Sequence, residues 1–409
     1  MSWFHLGEPS MGLAPWWTRY RRGLCWSAVF GMAVVAIGRW YTALFLLLVS
    51  SEQRAAVDLL QRWNETQRWF AGLPLPFLSG NVPYPPATYV VLWPVLGWLS
   101  QTAVRWLWAG LLLASLAWLT VLLVRAGGAE RIEERALWVF LVLSSQATTL
   151  VIANGQLAIL VMPALIVGVL LSFRRPRKAR TDLTIAGLAL VALVKPTIAA
   201  PFCWSYLFCP STPWPGIFAG AGYAALTLAA TAFQPLSLRG LASQYMESTR
   251  ALDAGWGYSS LHTMFGLHGL HQWVAPAALA ALVGLGIWVY RHRRSDPWLI
   301  LSATALVARF WTYHQIYDDL LILVPLAFLS RWVRERRGSR ALRTAVSTVV
   351  AAAAFVLVAP GRWFLLSDSA EPLLNTIRTA TWLAALGAVL LVSGSARVPA
   401  TDSSPVIRG

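Results

Sequence analysis

Charge is what this sequence has least of. Only 12% of its 409 residues are Asp, Glu, Lys or Arg, while 57% are hydrophobic, a balance that excludes an ordinary soluble globular domain. Acidic residues are scarcer still, 17 against 33 basic ones. Cysteine is nearly absent. Cys25, Cys203 and Cys209 sit in or beside apolar runs without a paired or metal-like spacing, which excludes a disulfide framework. His262, His268 and His271 lack a ligand spacing joined to a carboxylate, so no metal is expected. There is no Walker loop, dinucleotide fingerprint or serine-hydrolase elbow, and therefore no sign of a soluble nucleotide substrate or a cofactor. A cleavable signal peptide is not evident either. The first apolar run, about 24–50, is too long for an h-region and reads as a signal anchor with its N-terminus inside.

What is present is apolar length. Runs of about 18 or more apolar residues recur along the chain, and a hydrocarbon core of about 30 Å takes about 20 residues per helix. The runs are continuous and do not alternate, so the expected class is all-α: a polytopic transmembrane protein with about twelve spanning helices. The 23 Trp and 23 Pro fit membrane interfaces and broken helices. The net charge of +16 does not call for nucleic acid, because it is clustered beside the apolar runs. Arg19, Arg21 and Arg22; Arg174 to Arg180; Arg291 to Arg294; and Arg331 to Arg343 mark cytoplasmic ends by the positive-inside rule. The partners implied are membrane lipids. Residues 1–23 are expected to be a cytoplasmic segment, 24–394 one transmembrane domain, and 395–409 a disordered cytoplasmic tail.

The polar segments fall between the runs. After the first helix, with Arg39 costly near its middle, comes DLLQRWNETQRWFAGLPLPFLSGNVPYPPATY, Asp58 to Tyr89. Its first part reads as an amphipathic interfacial helix with Trp63 and Trp69 as anchors and Arg62 and Arg68 toward headgroups. Asp58, Arg62, Glu65 and Arg68 equally fit a solvated face with i, i+3 and i, i+4 pairs. Four runs follow, about 84–100, 103–124, 136–153 and 156–173, ahead of the basic cluster at 174–180. An outside start and an inside end require an odd number of crossings, so one run is re-entrant or two form one bent helix. Asn154-Gly155-Gln156 breaks the last two.

Lys195, in VALVKPTIAA, is the sharpest physical signal, because a lysine flanked by apolar residues is expensive at membrane depth. Pro196 predicts two short helices meeting there, and a phosphate is a natural partner for the ammonium. A long outer stretch carries Gly255 to Gly266, GWGYSSLHTMFG. A second one, Arg309 to Asp319, holds His314 and the pair Asp318 and Asp319, which read as helix N-terminal acids favoured by the dipole.

Taken in order, these segments resemble the GT-C membrane glycosyltransferases, and among them glycosyltransferase family 87. The residues carrying the likeness are Asp58 to Pro74, Tyr84-Pro85-Pro86, Asn154-Gly155-Gln156, Lys195-Pro196-Thr197, Ser260-Leu261 and the aromatic-His stretch Trp311 to Asp319, over roughly 24–335. The chain departs from the family at Tyr258-Ser259, where Asn or Gln is common, and at Tyr313-His314-Gln315, where Asp-His-His is frequent. The resemblance implies transfer of a sugar, mannose by the family's habit, from a polyprenyl phosphate to a lipid or glycan acceptor. The site then faces the periplasm or the outside of the plasma membrane. It assigns Asp58 as general base of an inverting displacement. Lys195, Arg309 and His314 would bind phosphate or sugar, with Tyr84, Asn154, Gln156, Tyr258 and Ser260 lining the site. Two other readings share a lipid-linked sugar: a flippase, and an O-antigen-type polymerase or ligase, which Arg239 and Arg250 would serve.

Overall fold

The computed structural model describes residues 14–52, 55–75, 84–175, 178–209, 211–250, 260–359 and 371–394. Every regular element among them is helical. The expected tail over 395–409, Tyr258, and Gly255 to Ser259 lie outside the described residues.

The path is a repeated traverse between two ends of a bundle. Helix α1 (Ala14–Leu48) begins ten residues before the expected start and delivers α2 (Val57–Phe70) and α3 (Pro86–Leu96) to the end that holds Asp58. Helix α3 has Pro86 in its first turn, Pro94 inside and Gly97 after it; its eleven residues, about 16 Å, are too short to cross. It stays at the Asp58 end, where Leu96 O accepts from Gln67 Nε2 at 3.1 Å and Thr88 Oγ1 donates to Val194 O at 3.2 Å. Helix α4 (Gln101–Ala126), capped by Ser100, then returns to the far end. Helices α5 (Ile132–Ser144) and α6 (Gln146–Asn154) come back as one bent unit, kinked by 47° where Ser145 is extended. Helix α7 (Ala158–Ser172) returns again. Three elements, α4, the bent α5–α6 unit and α7, thus separate α3 from the basic cluster at 174–180.

Helix α8 (Ala179–Ala192) stops short of Lys195 because Pro196 excludes the helical conformation at the residue before it. Lys195 has φ −121° and ψ 78°. The chain resumes as α9 (Pro196–Ala199) and α10 (Cys203–Phe208), so that α8 and α9 are the two helices meeting at this lysine as expected. Then follow α11 (Trp214–Thr231), α12 (Leu238–Arg250), α13 (Leu261–Leu267), α14 (Val274–His292) and α15 (Pro297–Phe310). A 3₁₀ stretch, Ile316–Ile322, leads into α16 (Leu323–Arg334), with α17 (Arg340–Val358) and α18 (Glu371–Ser393) closing the bundle.

Five helices are long and apolar enough to cross a membrane, or six counting the bent pair. Helix α15 is buried nearly all round, which is why its sequence shows no polar stripe. Conversely, Phe30, Ile37, Tyr41, Phe355 and Leu391 are more than 70% exposed, a surface suited to lipid and not to water. The core joins Leu47, Leu59, Leu112, Val161, Leu306 and Leu326 from six elements. Arg39 is accommodated at the ends of two helices, donating to Ser144 O, Val358 O and Ala359 O, where orphan carbonyls and the dipole favour a cation.

Candidate active site

The face of α2 that is buried is not the one its pattern predicts. Leu59, Arg62, Glu65, Thr66 and Trp69 point inward, while Val57 is exposed. Arg62 therefore does not reach headgroups. It pairs with Glu65 at 2.5 Å and lies 4.2 Å from the centroid of Tyr84. Nor is Trp69 a membrane anchor. It stacks on Tyr89 and donates Nε1–H to Ala230 O at 2.9 Å, while Trp63 donates to Leu99 O. The reason is electrostatic: a guanidinium with a carboxylate beside it is better held inside a wet protein interior than set against lipid. Glu65 also accepts from Gln61 and from Tyr89 Oη, and burial pushes its carboxyl above the ordinary range.

The turn Asn154-Gly155-Gln156 fixes where α2 sits. Gly155 has φ +67°, a left-handed cap that glycine adopts without steric cost. A Cβ there would stand 2.5 Å from Leu59 Cβ, so α2 packs directly on the turn. Ala56 N–H donates to Ala153 O at 3.1 Å, and Trp108 Nε1–H to Gly155 O at 2.8 Å. Half-buried Asn154 ends α6, and buried Gln156 follows the turn. These contacts bring Asp58 close to Gln156 and within reach of the Arg62 and Lys195 charges.

Lys195 Nζ donates to Asp318 Oδ1 at 2.6 Å and to Gln156 Oε1 at 3.3 Å, and lies 4.7 Å from the Tyr317 ring. Asp318 also accepts from His314 Nδ1 at 2.9 Å and from Gln315 N–H at 3.2 Å. Burial works to raise the Asp318 carboxyl, but the ammonium and the imidazole outweigh it and hold it well below the usual range. Burial lowers the His314 imidazole, with Asp318 opposing. A neutral ring beside an ionised carboxylate carries its proton on Nδ1, which leaves Nε2 a buried acceptor with no protein partner. Arg309 is wholly buried and bound to Asp319, Nε to Oδ1 at 2.7 Å, with Trp382 Nε1 on the same oxygen at 3.1 Å.

Four carboxylates thus meet three cations in this cluster. Glu65 belongs to Arg62, Asp318 to Lys195 and Asp319 to Arg309. Among the described residues, Asp58 alone of the four makes no ion pair. Burial dominates its titration and lifts its carboxyl to about 6, against the opposing pull of Arg62 and Lys195.

Tyr84 joins this cluster to an apolar cavity of about 500 Å³, within the range of small-molecule sites. The cavity lies between α2, α3, α11 and α12 and is lined by Trp69, Tyr84, Thr227, Gln234, Leu241 and Tyr245. Ser260 is not drawn into the cluster by its contacts. Its hydroxyl meets Thr263 Oγ1 at 3.1 Å and accepts from Thr263 N–H at 3.3 Å, capping α13. Among the described residues no group of three or more His, Cys, Asp or Glu converges as metal ligands would.

The model of glycosyltransferase family 87 matches residues 82–312, more than half of the chain. The chain belongs to glycosyltransferase family 87. It is a membrane glycosyltransferase of the GT-C-like kind, as the motif order led us to expect. The matched region holds Tyr84, Asn154, Gln156, Lys195, Ser260 and Arg309, whereas Asp58, His314 and Asp318 lie outside it. No curated protein and no solved structure matches the chain significantly. Sequence reasoning missed the part played by Asp318 and Asp319, which neutralise buried cations. The signal was available: two cations in apolar runs, Lys195 and Arg309, need acids, and few acids are present to supply them.

Proposed function

We propose that this glycosyltransferase moves a sugar, mannose by the family's habit, from a polyprenyl-phosphate donor to a lipid or glycan acceptor, with inversion and with Asp58 as general base. The observation that carries the reading is the unpaired Asp58 carboxylate among three matched ion pairs. A base held in a salt bridge would have to break it to take a proton, whereas Asp58 makes none among the described residues. Its titration near 6 suits proton abstraction at neutral pH.

In this scheme Asp58 takes the proton of the acceptor hydroxyl. The freed oxygen attacks the anomeric carbon while the bond from that carbon to the phosphate oxygen breaks, and the phosphate leaves with the electron pair. Lys195 has three N–H donors, of which Asp318 and Gln156 take two; the third serves the departing phosphate. His314 Nε2 accepts from a sugar hydroxyl. Arg309 acts through Asp319, keeping the 3₁₀ stretch in place, and does not touch phosphate. The apolar cavity beside Tyr84 takes part of a lipid chain.

The same reading covers the membrane. The Asp58 end of the bundle lies opposite the ends carrying Arg174 and Arg175, Arg291 to Arg294 and Arg331 to Arg343. The positive-inside rule therefore favours a site on the outer or periplasmic face of the plasma membrane. Counting the bent pair once and α9 with α10 once gives about twelve traverses of one domain over 24–394, if the shorter helices are taken as spanning. Helices α2 and α3 then lie at the outer interface.

The test is turnover of Asp58→Asn with a polyprenyl-phosphate sugar. Loss of about 10²- to 10⁴-fold is expected for a missing general base, and wild-type turnover would refute the assignment. Transport of the lipid-linked sugar by the same variant, without transfer by the wild type, would favour a flippase.

A further inference from the structure

Two arginines outside the site make no ion pair with an acid among the described residues. Arg39 on α1 gives its guanidinium to the carbonyls of Ser144, Val358 and Ala359. Arg378 on α18 is 5% exposed and donates Nη2–H to Gln146 Oε1 at 2.6 Å. Neither forms an ion pair among the described residues, and each lies within electrostatic reach of the other. Like charges held together at a membrane boundary repel, and an arginine pair without a carboxylate among the described residues there is a functional feature by default. A second observation points the same way. The hydroxyls of Ser144, Ser145 and Thr148, all wholly buried at the break between α5 and α6, have no hydrogen-bond partner. A buried and a half-buried cation with three unsatisfied hydroxyls at one break suit an anion with several acceptor oxygens.

Depth decides which anion. Helix α17 has nineteen residues, about 28 Å, close to the hydrocarbon thickness. Its first residue, Arg340, adjoins the basic cluster at one boundary, so its last, Val358, stands at the other. Arg39 reaches Val358 O at 3.1 Å and is therefore level with the headgroups. Around it the surface is apolar: Ile37 and Phe355 are each 72% exposed and Tyr41 77%. We propose that Arg39 and Arg378 bind the phosphate of a lipid headgroup, with the acyl chains lying along α1 and α17. A fork-shaped guanidinium matches two phosphate oxygens. The inference does not depend on Asp58 or on the donor.

The experiment is native mass spectrometry of the full chain in detergent. Each sample is offered phosphatidylglycerol, the diacylglycerol with the same chains, or inorganic phosphate. Arg378→Gln is the informative variant, because Arg39 also caps two helices and its loss could unfold them. The wild type should retain one phosphatidylglycerol more than Arg378→Gln, with affinity about tenfold higher, and should not retain diacylglycerol. Gln146→Ala removes the hydrogen-bond partner of Arg378 but keeps both charges, and should bind like the wild type. Equal retention by Arg378→Gln, equal retention of diacylglycerol, or a matching loss in Gln146→Ala would overturn the proposal. Displacement of the lipid by millimolar inorganic phosphate would also overturn it, by showing a site for a free anion.

Discussion

Replacing Asp58 by Asn should make the protein more stable at neutral pH while abolishing its activity. The Asp58 carboxyl titrates near 6 in the fold against 3.8 when exposed, so its ionised form is disfavoured on folding by about 3 kcal/mol at most. The sign follows from linkage. A carboxyl whose folded pKa is raised binds more protons in the native state between those two values, so stability is full below about 4 and falls until about 6. Asparagine keeps the shape and removes the titration. Thermal unfolding in detergent should therefore show equal midpoints for both proteins near pH 4. At pH 8 the variant should melt higher by on the order of 5 °C, from the usual conversion of free energy to midpoint in a large chain. A variant less stable than the wild type at pH 8, or a difference independent of pH, would show that Asp58 is a structural acid held by Arg62 or Lys195 and not a free base.

The pH profile of transfer should carry the same signature: kcat/KM rises with pH through about 6 and then levels, because the base must be ionised. A rate independent of pH between 5 and 7 would contradict it. Lys195→Met leaves the Asp318 charge without its ammonium, at a cost of about 3–5 kcal/mol. The double variant Lys195→Met/Asp318→Asn should recover most of that in a denaturation series, and no recovery would deny the pairing. Gly155→Ala should cost on the order of 1–3 kcal/mol through its left-handed backbone, and more through the close contact with Leu59. Gly269→Ala, at φ +69° in open space, should cost less, and equal melting points would mean that α2 is free to move off the turn.

Much of the fold was legible because a membrane leaves few choices. Continuous apolar runs specify helices, and the basic clusters identify their ends. Parity alone required that one run between 84 and 173 fail to cross, or that two be one. The short length of α3 and its contacts with Gln67 and Val194 O favour the run at 84–100, a choice that Pro94 and Gly97 leave open because they are equally compatible with a kinked span. The orientation of α2 is hidden from the pattern of its apolar residues. Arg62 and Glu65 bury as a neutral pair, which hydropathy scores as two exposed charges. Lys195 stood out at once as an isolated charge in an apolar run. Asp318 and Asp319 did not, because acids at the start of a helix have an ordinary explanation in the dipole. Their partners, 123 and 10 residues away, are set by tertiary packing that no local pattern shows.

The central claim is that Asp58 is the base of a sugar transfer from a lipid phosphate. It is tested most directly by reconstituting the purified protein in liposomes with a radiolabelled polyprenyl-phosphate sugar and following label into extractable acceptor. Transfer by the wild type, reduced at least a hundredfold in folded Asp58→Asn, is the predicted result. Transfer at the wild-type rate by that variant would contradict the account.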